Sequence, residues 1–479
     1  MPLSYRSLVA AVGFLTLLSA CKAPAPINVL FIAVDDLNTD IGCYGSLQVK
    51  TPNIDRLAKM GVRFDRAYCQ QPLCGPSRAS IMTGLRPNTT GFVRLNDDIR
   101  KLKPDVVTLG QFFQRQGYYV GRVGKIYHYG NPTQIGTNGR DDALTWQERF
   151  NPAGIDRLQE ENITRYPGGK KGKKGRLGIS MAWWDPASAD GEHTDGMVAD
   201  RAIEMIDRNQ NRPFFVAAGF FNPHCPYVAP KRYFDMYPLD EITMQGLGEA
   251  RLDLEDVPPM AVQRDARNWP YFFKNVTLDE ARKCKQAYYA CVSFVDAQVG
   301  RLIDALEERD LLESTLIVFW SDHGYFLGEK GLWYKRKNFE RSVRAPMVMA
   351  GPGISAAGKF CGQPVELLDM YPTLVDYAGF QVPTNLDGRS LRPLLTDPSS
   401  TWDKPAISQV FHSAKAQGYS LRTMKWRYTE WNGGAAGREL YDHENDPDEV
   451  TNLAGSPTHT AIVARLSRLL APFSNVVVR

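Results

Sequence analysis

Four apolar runs punctuate the chain, and each ends abruptly in polar chemistry. NVLFIAV (28 to 34) runs into Asp35 and Asp36, YYVGRVG (118 to 124) into Lys125, PFFVAAGFF (213 to 221) into Asn222-Pro223-His224, and TLIVFW (315 to 320) into Ser321-Asp322-His323-Gly324. Short, nearly continuous apolar runs of this kind predict strands buried on both faces. Between them, amphipathic patterns at 53 to 60, 108 to 117, 193 to 209 and 295 to 310 predict helices. Strands alternating with helices give an α/β fold: a large, mostly parallel sheet flanked by helices on both faces. Ligands of such sheets bind beyond the carboxyl ends of the strands, so four runs that deliver ionisable groups there converge on one site.

The pattern changes beyond Pro393. Turn formers dominate 394 to 406, and β-formers then fill 418 to 431 and the start of 437 to 454. These segments predict a small C-terminal α+β unit, an antiparallel sheet closed by a helix over 459 to 473. At the other end, Arg6, a short apolar run and Leu18-Ser19-Ala20-Cys21 have the layout of a secretory signal, with an ordinary cleaved leader as the alternative to a lipid-modified Cys21. The expected division is a leader over 1 to 20, a linker over 21 to 27, a catalytic domain over 28 to 398 and a C-terminal subdomain over 399 to 479. No later segment is long and apolar enough to cross a bilayer.

Composition narrows little. The net charge of +4 falls to +3 when Arg6 leaves with the leader, so charge nominates no nucleic acid partner. The local exception is GGKKGKKGR (168 to 176), which reads as a solvated loop or as a contact for a polyanion. The eight cysteines show neither CxxC pairs nor zinc spacing. Cys284 and Cys291, seven apart on a helical face, fit buried small side chains as well as a bridge.

Candidate chemistry sharpens the picture. Adjacent carboxylates at the end of a buried strand are costly unless a cation compensates them. Asp35, Asp36, Asp322 and His323 supply ligands of the kind calcium or magnesium accepts, with a further oxygen from elsewhere. Cys74-Gly75-Pro76-Ser77-Arg78 sets a lone thiol at the mouth of an expected helix, where backbone N–H groups and Arg78 favour an anion.

The C-x-P-S-R pattern, continued as LCGPSRASIMTG, resembles the signature that type I sulfatases present for oxidation of the cysteine to formylglycine. The resemblance spans roughly 27 to 454 through NVLFIAVDDL, GCYG, TPNIDRLA, CGPSRAS, GKIYH, NPHCPY, SDHGYFLGEKGLWYK and GYSLRTMKWRYTEW, and is nearest the iduronate-2-sulfatase group. It implies an alkaline-phosphatase-like fold and one Ca2+ held by Asp35, Asp36, Asp322, His323 and the oxidised Cys74. It further implies that Arg78, Lys125 and Lys335 hold sulfate oxygens, that His128 assists the formylglycine hydrate, and that His224 protonates the departing sugar oxygen. The hydrate offers one hydroxyl to attack sulfur and a second whose deprotonation expels sulfate, a division into two easier steps.

The expected substrate is a sulfated oligosaccharide or polysaccharide, with 2-O-sulfated uronic acid or an algal glycan unit as options. The expected maturation partner is a formylglycine-generating enzyme, and the expected location is a bacterial cell envelope, periplasmic or on the outer membrane, tethered by lipid on Cys21. Two other readings stay open: a phosphodiesterase or phosphonate monoester hydrolase on the same fold, and a non-catalytic glycan-binding lipoprotein. Trp183, Trp184 and Asp185 are candidates for shaping a sugar pocket.

Overall fold

A computed structural model describes residues 26–166, 170–171, 177–244, 254–262 and 276–474. The expected leader, Cys21 and most of the basic stretch at 168 to 176 lie outside these residues.

All four apolar runs form strands of one nine-stranded sheet. Asn28–Val34 lies at its centre, parallel to Thr315–Ser321 on one side and to Phe214–Phe220 on the other; Tyr119–Gly124 continues the parallel set beyond the latter. Every residue of these four strands is buried, which is why their sequences carry no alternation. The sheet is mixed at the other edge, where Met347–Ala350 runs antiparallel to Thr315–Ser321 and to Gly61–Tyr68. Apolar side chains from its two faces build the two largest hydrophobic clusters.

Helices cover both faces. Pro52–Met60 starts on a proline, whose missing N–H costs nothing at a helix start. Leu109–Arg115 is closed by a Thr108/Gln111 capping box. The pattern at 295 to 310 proves to be the second half of a 30-residue helix, Leu278–Glu307, with its own Thr277/Glu280 capping box. Cys284 and Cys291 are buried on that helix, and the seven cysteines among the described residues are all free thiols. No described helix is long and apolar enough to cross a membrane.

Two four-stranded sheets and a two-stranded pair, Phe326–Leu327 with Trp333–Tyr334, accompany the large sheet among the described residues. At the C-terminus, Ala406–Ser413, Ala416–Arg422, Trp426–Trp431 and Arg438–Asp442 form an antiparallel meander, and Thr460–Ser474 packs Leu466 and Leu470 onto it. The other four-stranded sheet is unanticipated in the sequence and is formed by Lys170–Lys171, Thr164–Tyr166, Met181–Trp184 and Tyr227–Val228. Its last strand follows directly on the His224 turn, and Lys170–Lys171, within the stretch expected as loop, is strand backbone paired with Thr164 and Arg165.

Candidate active site

The register of the central strands assembles the site. Val34 pairs with Ser321, so Asp35 and Asp36 emerge beside Asp322 and His323. The Asp36 amide donates to Asp322 Oδ1 at 3.2 Å and the Leu37 amide to Ser321 Oγ at 3.0 Å, locking the two strand ends together. Asp36 adopts a left-handed φ of 63°, unusual for a residue with a side chain, and its carbonyl accepts a hydrogen bond from Tyr288 Oη at 2.8 Å. Both carboxylates are fully buried.

Cys74 opens the ten-residue helix Cys74–Thr83, every residue of which is buried. Its Sγ lies 3.5 Å from His323 Nε2, 3.3 Å from Lys335 Nζ and 4.0 Å from Asp36 Oδ1. Burial pushes the thiol pKa up, and the nearby carboxylates add to that against the Lys335 charge. One helical turn on, Arg78 sends Nε to Asp322 Oδ2 at 2.9 Å, Nη2 to Asp35 Oδ1 at 3.0 Å, and Nη1 to the Lys125 and Ile126 carbonyls. Four of its five N–H donors are thus committed, and its side chain is wholly buried. Arg78 thus bridges two carboxylates and keeps one Nη2 N–H uncommitted.

Lys125 follows the Tyr119–Gly124 strand in a loop and pairs with Asp35 Oδ2. Its approach depends on two glycines: the Lys125 amide donates to the Gly219 carbonyl at 2.8 Å, and a Cβ on Gly219 would sit 2.2 Å from the Lys125 carbonyl oxygen. Gly124 adopts φ +72°, and a Cβ there would strike the Gly219 carbonyl at 2.2 Å. Three residues on, His128 is buried with Nδ1 unpartnered. Lys335, just after the Trp333–Tyr334 strand, pairs with Asp36 Oδ1.

His224 is fixed by its Nδ1, 2.7 Å from the Cys225 carbonyl and 3.4 Å from Asn131 Nδ2, which leaves Nε2 facing Asp36 Oδ2 at 3.7 Å. The turn that carries it is anchored by Asp195, whose two oxygens accept the Phe221 and Asn222 amides at 2.8 and 2.9 Å. Burial drives the His128 and His224 pKa values down, with Lys125 and Lys335 next in weight respectively, so both imidazoles favour the neutral form. Burial raises all three carboxylates; for Asp35 the charge of Lys125, with Arg78 beside it, outweighs it, for Asp322 that of Arg78 does, and for Asp36 burial prevails despite Lys335.

The donor set suits a hard divalent cation. Ligand atoms of Asp35, Asp36, Cys74 and His224 lie within 4.8 Å of one another, as do those of Cys74, Asp322 and His323, so Cys74 is common to both groups. Asp35, Asp36 and Asp322 are balanced by Arg78, Lys125 and Lys335. A divalent ion added to that balance leaves positive charge for an anionic substrate. Every residue given a metal or catalytic role from the sequence therefore lies in this one cluster or beside it. What sequence reading missed is the support, Asp195, Tyr288 and Asn131, none of which sits in a motif. Trp183 turns out to be packing: the Lys283 ammonium lies 4.0 Å from its ring centroid and Phe234 leans on it.

Comparison with known proteins shows the family. The family model described as Sulfatase matches residues 27–380, and that for the C-terminal region of N-sulphoglucosamine sulphohydrolase matches residues 328–475. A sulfatase of Formosa agariphila is 36% identical, covering 92% of this chain and 86% of its own. Human iduronate 2-sulfatase is 32% identical, with 85% of each chain covered. Among solved structures, a phosphonate monoester hydrolase from Silicibacter pomeroyi superposes with a TM-score of 0.75 at 25% identity, covering 93% of this chain and 94% of its own.

Proposed function

The chain belongs to the sulfatase family of sulfuric ester hydrolases, and from that premise we propose that it removes sulfate from a sugar of a sulfated glycan, using Cys74 converted to formylglycine and one Ca2+. The observation that carries this reading is the setting of Cys74: one sulfur among three carboxylates, three cations and two histidines, all buried. A buried thiol whose pKa is raised is a weak nucleophile, whereas a hydrated aldehyde at the same position supplies one hydroxyl for attack at sulfur and another for release. Asp35, Asp36, Asp322, His323 and residue 74 would hold the calcium, which when bound supplies Lewis-acid polarisation of the sulfate ester.

The remaining steps belong to side chains. Lys125 and Lys335 each use one ammonium N–H on a carboxylate and keep others for the non-bridging sulfate oxygens, where charge builds. Arg78 holds Asp35 and Asp322 in place. His224, with Nδ1–H on the Cys225 carbonyl, presents a bare Nε2 that first takes up the proton of the attacking hydroxyl and, as imidazolium, hands it to the departing sugar oxygen. His128, beside Lys125, takes the proton whose loss drives sulfate release. Export and a lipid on Cys21 complete the proposal, and metabolic labelling with palmitate, lost in Cys21→Ala, checks that part.

Mass spectrometry of the peptide carrying residue 74, paired with sulfate release from aryl sulfate and sulfated saccharides, tests the chemistry. The expected result is a mass loss matching cysteine-to-aldehyde conversion in active preparations. Fully active enzyme with unmodified Cys74, or an aryl phosphonate turned over orders of magnitude faster than any sulfate, rejects it.

A further inference from the structure

Resting on that reading, we propose that the cleft beside Cys74 is a sugar subsite in which Arg140 binds a second anionic group, carboxylate or sulfate, of the sugar that bears the scissile ester.

The cleft measures about 280 Å³, with Gly75 and His128 at the catalytic end and Phe92, Ile99 and Tyr127 along its walls. That is just under the ~300 Å³ lower end of small-ligand pockets, room for one sugar ring. The segment before Ile99 packs against the residue that follows the nucleophile, because a Cβ on Gly75 would meet the Leu95 carbonyl at 2.8 Å. His128, 8% exposed, lines the catalytic end, and its buried Nδ1 has no partner among the described residues.

The cleft's ionic groups divide sharply. Asp141 takes Arg122 Nη2 at 2.7 Å and Trp146 Nε1 at 3.0 Å, and Asp142 takes Arg100 Nη2 at 2.6 Å together with Thr145 Oγ1. Asp97 accepts the Val93 and Arg94 amides, and Asp98 accepts the Arg100 amide. Asp141 and Asp142 are thus neutralised by arginines, while Asp97 and Asp98, held on backbone amides alone, keep their charge. Arg140 is exposed and has no carboxylate partner among the described residues; its guanidinium makes one hydrogen bond, Nη1 to the Asn96 carbonyl at 3.1 Å. Four N–H donors of a planar fork are therefore uncommitted on a side chain that lines a sugar-sized space. A carboxylate or sulfate accepts two of them side by side, which a hydroxyl does not.

The test compares wild type, Arg140→Ala and Arg140→Lys on three esters: a monosulfated neutral sugar, the same sugar with a second sulfate, and a 2-O-sulfated uronide. Circular dichroism confirms folding, and exposure of Arg140 makes misfolding of these variants a minor concern. Wild type is expected to favour one of the doubly anionic esters at least tenfold in kcat/KM, and the favoured one identifies the group. Arg140→Ala is expected to cut that preference at least fivefold, chiefly through KM, and Arg140→Lys to retain part of it. No preference in wild type, or a preference that shrinks less than fivefold in Arg140→Ala, overturns the subsite. Titration calorimetry with the same three compounds runs the comparison without turnover; if no ester is cleaved yet Arg140→Ala still erases a binding preference, the hydrolase reading fails and the subsite stands.

Discussion

Among the knots of buried charge in the described residues, two behave as opposites. One is the catalytic cluster at the carboxyl ends of the central strands. The other joins the C-terminal sheet to the main body: Arg427 reaches Glu449 and Glu340, Tyr68 Oη donates to Glu340 at 2.9 Å, His443 Nε2 lies 2.9 Å from Glu449, and the Glu340 amide donates to Glu449 at 2.7 Å. Glu340, His443 and Glu449 come close enough to suggest a metal site. Yet an arginine already stands between the two glutamates, and burial of Glu340 is outweighed by Arg427 and Arg422, which hold its pKa down. A built-in cation leaves that knot closed. The catalytic cluster has a cleft at its side, an unpartnered His128 nitrogen and a sulfur held among its charges. Buried charge alone marks strength of attachment; buried charge with an opening and a reactive atom marks chemistry.

The sharpest way to break this contrast is to remove the reactive atom. Cys74→Ala should lower kcat/KM by on the order of 10⁴-fold with an unchanged thermal midpoint, read from sulfate release and calorimetry. Equal loss of stability and activity would put the two knots in one class. Next in size, Arg427→Ala leaves buried glutamates without their cation and should cost about 3–5 kcal/mol of stability by denaturant titration, with activity per folded molecule kept. A folded, inactive Arg427→Ala would mean the second knot takes part in catalysis.

The smallest effect concerns pH. Glu439, 2% exposed, accepts Trp431 Nε1 and Tyr441 Oη, and burial, the leading cause, pushes its pKa from 4.5 up to about 7. Its folded form therefore binds a proton that the unfolded chain gives up near pH 4.5. The stability it contributes is complete at low pH and is lost as pH rises through about 7. Between pH 5 and 8, wild type should lose on the order of 2 kcal/mol relative to Glu439→Gln. Parallel pH curves for the two proteins would remove this assignment.

How much of this was legible depends on where each residue sits. Asp35, Asp36, Lys125, His224, Asp322 and His323 could be read as one site because they end apolar runs, and strand ends in a parallel sheet share a rim. Cys74 and Arg78 were legible through their motif, although the motif does not say that Arg78 faces carboxylates; that follows only once Val34 pairs with Ser321. The sheet around Thr164–Tyr166 and Met181–Trp184 escaped because its strands are four residues long or fewer, too short for periodicity to register. Asp195 escaped for another reason: inside an amphipathic helix it looks like any first-turn acid, and its work on the Phe221 and Asn222 amides is tertiary. Arg140 and the Leu95 segment belong to irregular loops, where the chain path decides proximity and local pattern is silent.

The Gly124 and Gly219 pair carries a consequence for how this enzyme tolerates change. Two missing methyl groups set the distance between neighbouring backbones, so a single alanine at position 219 would shift an entire catalytic loop while leaving every reactive side chain intact. Screens that spare the ionisable residues and randomise the rest would still find inactive proteins there, and the cause would be steric.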